Sequence, residues 1–172
     1  MANTKTKEDV DISNIEDRLR ELNMDKKVKI INRAPWNVGF PNRATSGDTS
    51  LSPSAETLIR REEIAEQVSA GNKLFGIDAW GSHATIYIDD EDMRKYLEFD
   101  SLDGTRQQNV ISESKVKELF EIKTQGAFEK AVKEAVITRA EKAFVLKAID
   151  KLKLNDHNKI KFCEEYCKFT IF

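Results

Sequence analysis

The sequence predicts an α+β protein: a small, mostly antiparallel β domain with an N-terminal helix and short helices, followed by a C-terminal helical bundle. Three observations carry that reading. Ala84, Ile86 and Ile88 alternate with His83, Thr85 and Tyr87, the period-two pattern of a half-buried strand. Beyond residue 112 the apolar side chains recur instead at steps of three and four, with cap residues ahead of them. Between the two patterns Asp100 to Asn109, DSLDGTRQQN, is polar and aperiodic, with Asp-Gly in its middle. The chain therefore divides into an arm and amphipathic helix (1–27), a β domain (28–99), a linker (100–111) and a helical domain (112–172).

Taken in order, residues 1–10 are polar and read as a flexible arm. Ile12, Ile15, Leu19 and Leu22 then mark an amphipathic helix from Asp11 to Met24, with Asp11 or Ser13 as its N-cap. Val28 to Ile31 is a short strand, Asn32-Arg33-Ala34-Pro35 a bend, and Trp36, Val38 and Phe40 a second strand. Residues 41–57 are rich in turn formers and predict a long loop that orders on assembly, with a short strand near Thr49 to Leu51. Ile64 and Val68 share a helical face closed by Gly71, and Lys73 to Ile77 is expected as a strand.

After a turn containing Trp80 comes the strand ending at Ile88. It runs into Asp89-Asp90-Glu91-Asp92, acids placed where a helix N-terminus favours them, with Met93, Tyr96 and Leu97 at helical spacing behind. In the second half Ser112 caps a helix bearing Val116, Leu119 and Phe120. A helix with Phe128, Val132, Ala135 and Val136 follows Gly126. Thr138-Arg139-Ala140-Glu141 matches a capping box and starts a third helix, with Phe144, Val145, Ala148, Ile149 and Leu152 on its apolar face. Asn155 is the expected cap of a last helix with Ile160, Cys163 and Cys167, and an apolar tail ends the chain at Phe169-Thr170-Ile171-Phe172.

The chain has 172 residues, 40% of them hydrophobic, which suffices for a core. Its formal charge of -2 is unevenly spread: residues 1–104 hold 14 basic and 20 acidic side chains, residues 105–172 hold 14 and 10. An excess of that size over a helical half is modest for a nucleic-acid binder, so nucleic acid is not an expected partner. No apolar run reaches the roughly 18 residues that span a bilayer, and the N-terminus lacks the apolar region of a signal peptide, so no membrane is expected and the cytosol is the expected place of synthesis. Cys163 and Cys167, four apart on one helix, are oriented poorly for a disulfide and are expected as buried thiols.

The residues offer little chemistry. His83 and His157 are the only histidines, and neither sits in a recognisable catalytic setting, so no catalytic residue is assigned. His157, Cys163 and Cys167 supply three ligands where structural zinc takes four, and residues 89–92 lack the glycine and ligand order of a calcium loop. No metal or other cofactor is expected. Trp36 and Trp80 lie beside turns, where an aromatic can anchor an interface, and with Phe40, Phe169 and Phe172 they form the candidate partner-binding set.

Two short motifs point further. Val28-Lys29-Ile30-Ile31-Asn32-Arg33, opening a β domain, and Leu152-Lys153-Leu154-Asn155-Asp156 with Lys159, inside a helical C-terminal region, resemble a group of small structural proteins of tailed bacteriophages. The chain departs from that pattern after Asn-Arg, where Ala34-Pro35-Trp36-Asn37-Val38-Gly39 stands. The resemblance implies a non-enzymatic virion component, assembled in the host cytoplasm. Its implied role is a capsid auxiliary, decoration or vertex protein in contact with the major capsid or other virion proteins, and able to form a homo-oligomer in a symmetric assembly. A head-to-tail connector or tail component is the near alternative. A cytosolic module binding nucleic acid or a host protein is the rival, favoured if Lys115, Lys117, Lys130, Lys133 and Lys161 share one face, and an enzyme with an unrecognised metal site is a second rival.

Overall fold

The computed structural model describes residues 7–168; residues 1–6 of the expected arm, and Phe169 and Phe172, lie outside the described residues. The protein is α+β, with the helices concentrated in its C-terminal half. β1 (Lys27–Asn32) turns Val28, Ile30 and Asn32 inward, as its alternation requires. It is the centre of a three-stranded antiparallel sheet between β4 (Glu56–Arg60) and β5 (Ile86–Asp89). β2 (Val38–Pro41) and β3 (Asp48–Leu51) form a separate hairpin, with Val38 opposite Leu51. The inner faces of both sheets meet Ile64 of helix α2 (Arg61–Ser69), Met93 of α3 (Glu91–Tyr96), Phe75 and Phe99 in one core. Each such side chain contributes about 1.5–3 kcal/mol on burial.

Asn32 sets the bend. Its side chain is buried; Nδ2 donates to the carbonyls of Trp36 (2.8 Å) and Ser52 (3.0 Å), while Oδ1 accepts from Ala34 N–H (2.9 Å). One amide thus satisfies backbone groups of the bend and ties it to the end of β3. Residues 41–57, expected as a loop ordering on assembly with a short strand near Thr49 to Leu51, hold that strand as β3 and, beyond the expectation, the start of β4. The turn between β2 and β3 is held from below: the buried Glu63 carboxylate accepts from the N–H groups of Arg43 (2.9 Å), Ala44 (2.8 Å) and Thr45 (3.1 Å) and from Gln67 Nε2 (2.8 Å).

Four further expectations are corrected. Lys73–Phe75 is a 3-10 turn, not a strand, because Asn72 caps it through Leu74 N–H and Gly76 ends it at φ +150°. β5 begins only at Ile86, since His83 takes the left-handed φ of +57° and Thr85 N–H donates to Leu74 outside the sheet. Helix α1 (Lys7–Arg20) includes residues 7–10 of the expected arm and places Asp11 and Ser13 inside it rather than at its cap. Asp156, not Asn155, caps the last helix, accepting from Lys159 N–H.

The second half holds α4 (Glu113–Phe120), α5 (Gln125–Ala135), α6 (Arg139–Leu152) and α7 (His157–Tyr166). α4 packs on α5 and α6, and α7 on α5 and α6, around Val116, Leu119, Phe128, Val132, Val145 and Ile149. Ser112 caps α4 and the Thr138–Glu141 capping box starts α6, both as expected. Residues 100–111 contain no helix or strand but are fastened to the β half. Asp100 is clamped between Arg94 Nε (2.9 Å) and Gln108 N–H (2.8 Å), and Gln108 Nε2 donates to Gly81 O (2.8 Å).

Candidate protein-contact groove

Trp80 stands in a tight turn whose geometry is imposed by three neighbours. Asp78 Oδ1 accepts from the N–H groups of Trp80 (2.9 Å) and Ser82 (3.0 Å), and Ile77 N–H donates to Ser82 O (2.9 Å) across the turn. Burial pushes the Asp78 carboxyl up, but the Ser82 N–H and hydroxyl, the Trp80 N–H and nearby His83 outweigh it and hold the group below the usual carboxylate range. Gly81 supplies the positive φ of +63° and lies so close to Phe99 that a Cβ there would fall 2.4 Å from the ring. A side chain there would be strained and would have to displace the Phe99 ring.

The indole is held by its face as well. The Arg106 guanidinium lies 4.3 Å from the ring centroid and is itself fixed by the carbonyls of Phe99 (3.1 Å) and Glu98 (2.9 Å). Trp80 nevertheless remains 50% exposed, and Tyr96 on α3 is 45% exposed. Both line a groove of about 560 Å³ whose walls come from α1, α3 and residues 98–106. Leu19 and Leu102 extend its apolar floor, and Arg20, Lys95, Glu16 and Glu98 give a rim of mixed sign. α1 is fastened to α3 by the Arg18–Asp92 pair at 2.7 Å. The groove thus sets two half-exposed aromatics within a polar rim.

The other candidate residues are distributed differently. Trp36 is partly buried against the first core, with the Arg139 guanidinium 5.4 Å from its ring. Phe40 is spent inside that core, 6% exposed and edge-on to Phe75, because β2 turns it to the buried face; as a partner-binding residue it is corrected. Phe169 and Phe172 lie outside the described residues. His83 is buried, with Nδ1 2.8 Å from Glu141 Oε1. His157 is exposed on the first turn of α7, apart from the buried Cys163 and Cys167. Those thiols are pushed up to about 12 and about 11 by burial, joined at Cys163 by the repulsion of Cys167 and Glu164.

The acidic run is occupied by the protein's own cations: Asp90 by Arg61 (2.8 Å), Glu91 by Lys95 (2.6 Å), Asp92 by Arg18 and Asp89 by Lys29 (4.0 Å). Of the lysines named for nucleic acid, Lys115 pairs with Glu118, Lys130 with Glu134, and Lys133 lies over the Phe162 ring. No helix among the described residues is long and apolar enough to cross a membrane.

Comparison with protein-family models, with curated proteins and with solved structures returns no match to this chain. The groove itself is only partly written in the sequence. Trp80 beside its turn is legible, whereas Tyr96 reads merely as part of a helical stripe, and Arg106 belongs to a segment with no periodicity at all.

Proposed function

We propose that the protein acts by contact rather than by catalysis, binding a protein partner in the groove framed by Trp80 and Tyr96. One observation carries this reading: a half-exposed tryptophan held on its face by Arg106 and in its turn by Asp78 and Gly81. An aromatic anchored before the partner arrives loses little entropy on binding, which is what makes such residues dominate interfaces.

The setting we propose is the virion of a tailed phage, with the protein as a capsid auxiliary, decoration or vertex component, or as a connector or tail part. That placement rests on the resemblance carried by residues 28–33 and 152–159. The test is quantitative mass spectrometry of purified DNA-filled particles, counting this chain against the major capsid subunit for wild type and Trp80→Ala. A fixed ratio that Trp80→Ala abolishes is the expected result. Absence of the wild-type chain from particles overturns the virion setting, and an undiminished ratio for the variant overturns the groove.

A further inference from the structure

Arg33 follows the buried Asn32 at the bend and is held at several points. Its N–H donates to Thr85 O (2.9 Å), Nη2 donates to Ile111 O (2.9 Å), and the guanidinium lies 5.4 Å and 5.5 Å from the ring centroids of Tyr87 and Phe144. Two of its nitrogens are left over. Among the described residues Nε is buried with no acceptor, and Nη1 makes no hydrogen bond but is not closed off. Arg61 and Arg94, by contrast, each close on a carboxylate at 2.8–2.9 Å, Asp90 and Asp100. Arg33 has no carboxylate partner among the described residues.

A guanidinium taken out of water without a counter-anion is costly, and the cost shows: burial pushes Arg33 below the ordinary range for arginine, with Tyr87 acting in the opposite sense. Arg33 lines a cleft of about 390 Å³ between the bend and α6, within the size range of built ligand sites. Across the cleft Lys147 is exposed and makes no ion pair among the described residues. Lys151 also faces it, but is matched by Glu113 at 2.6 Å. Phe144 and Pro35 add apolar wall.

We infer that this cleft is a recognition site for a carboxylate set beside an apolar side chain, as in an acidic segment of a protein partner. The carboxylate meets Arg33 Nη1 and Lys147, and the apolar neighbour lies on Pro35 and the free part of Phe144. Stacked nucleobases fit less well, because the Arg33 guanidinium already covers Phe144. The site is separate from the Trp80 groove and shares no lining residue with it.

The test titrates the full chain with acetyl-Leu-Glu-Leu-amide, its Gln counterpart and inorganic phosphate, followed by calorimetry. Saturable binding of the Glu peptide, weakened about tenfold or more in the Gln peptide and in Lys147→Glu, is the expected result. Lys147 is exposed, so that variant keeps its fold and carries the test; Arg33→Lys, which retains the charge but not the fork, is expected to weaken binding too, read on protein whose circular dichroism shows it folded. Trp80→Ala is expected to bind as wild type does. Equal affinity for the two peptides, no binding at millimolar concentration, or binding of phosphate but not of the Glu peptide overturns the assignment.

Discussion

His83 Nδ1 and Glu141 Oε1 lie 2.8 Å apart with both side chains buried, and they join the β half of the chain to the helical half. Glu141 has a second duty. Its Oε2 accepts from the N–H groups of Ile137 (2.8 Å) and Thr138 (2.9 Å), completing the cap of α6. Glu141→Ala therefore removes the carboxylate half of the capping box, leaving the Thr138 hydroxyl bond to the backbone in place, and takes away the partner of a buried imidazole nitrogen. The expected loss is about 2–4 kcal/mol, measured by urea unfolding, with Glu141→Gln losing less because it can still accept at the cap.

Glu63 predicts a pH dependence. Burial pushes its carboxyl up, but Gln67 and the N–H groups of Arg43, Ala44 and Thr45 outweigh it and hold the group below the usual range. A carboxyl depressed in the folded state stabilises that state fully above its unfolded value of about 4.3, and the stabilisation fades as pH falls through the folded value. Glu63→Gln is expected to cost about 2 kcal/mol at neutral pH. The gap from wild type should shrink below about pH 4. Urea titrations at the two pH values measure it, and a gap that is constant with pH contradicts the assignment.

Gly81→Ala places a methyl group against Phe99 at a positive φ. A loss of about 2–4 kcal/mol is expected, from strain and overpacking together. Thermal unfolding measures it. Gly104, also at positive φ but with open space around it, should lose less on the same change.

Cys163 and Cys167 should resist alkylation at pH 8, since burial keeps both thiols protonated and the second core covers them. Labelling followed by mass spectrometry should proceed at the rate of unfolding, and rapid modification of the native protein would contradict their placement.

What the sequence reveals depends on how each element is stabilised. β1 and the caps Ser112 and Thr138 are legible because alternation and capping are local properties. β4 is not, because it is an edge strand that buries no face completely: Leu58 is 59% exposed, so its alternation says little. Leu74 and Phe75 suggest a strand by composition, but their conformation is decided by Asn72 and Gly76 on either side. Trp80 is visible beside its turn, whereas the grip of Arg106 on it depends on a fold in residues 98–106 that has no period to read. Phe40, grouped with the interface aromatics, shows the opposite failure: its place in the alternation of β2 turns it into the first core, edge-on to Phe75.

Helix α6 belongs to both cores. Ala140 near its start is buried in the first, and Val145, Ala148 and Ile149 in the second, with the His83–Glu141 pair beside the crossing point. The two halves cannot part unless α6 abandons one of them. Sheet and bundle therefore hang on one shared rod rather than on a slack tether.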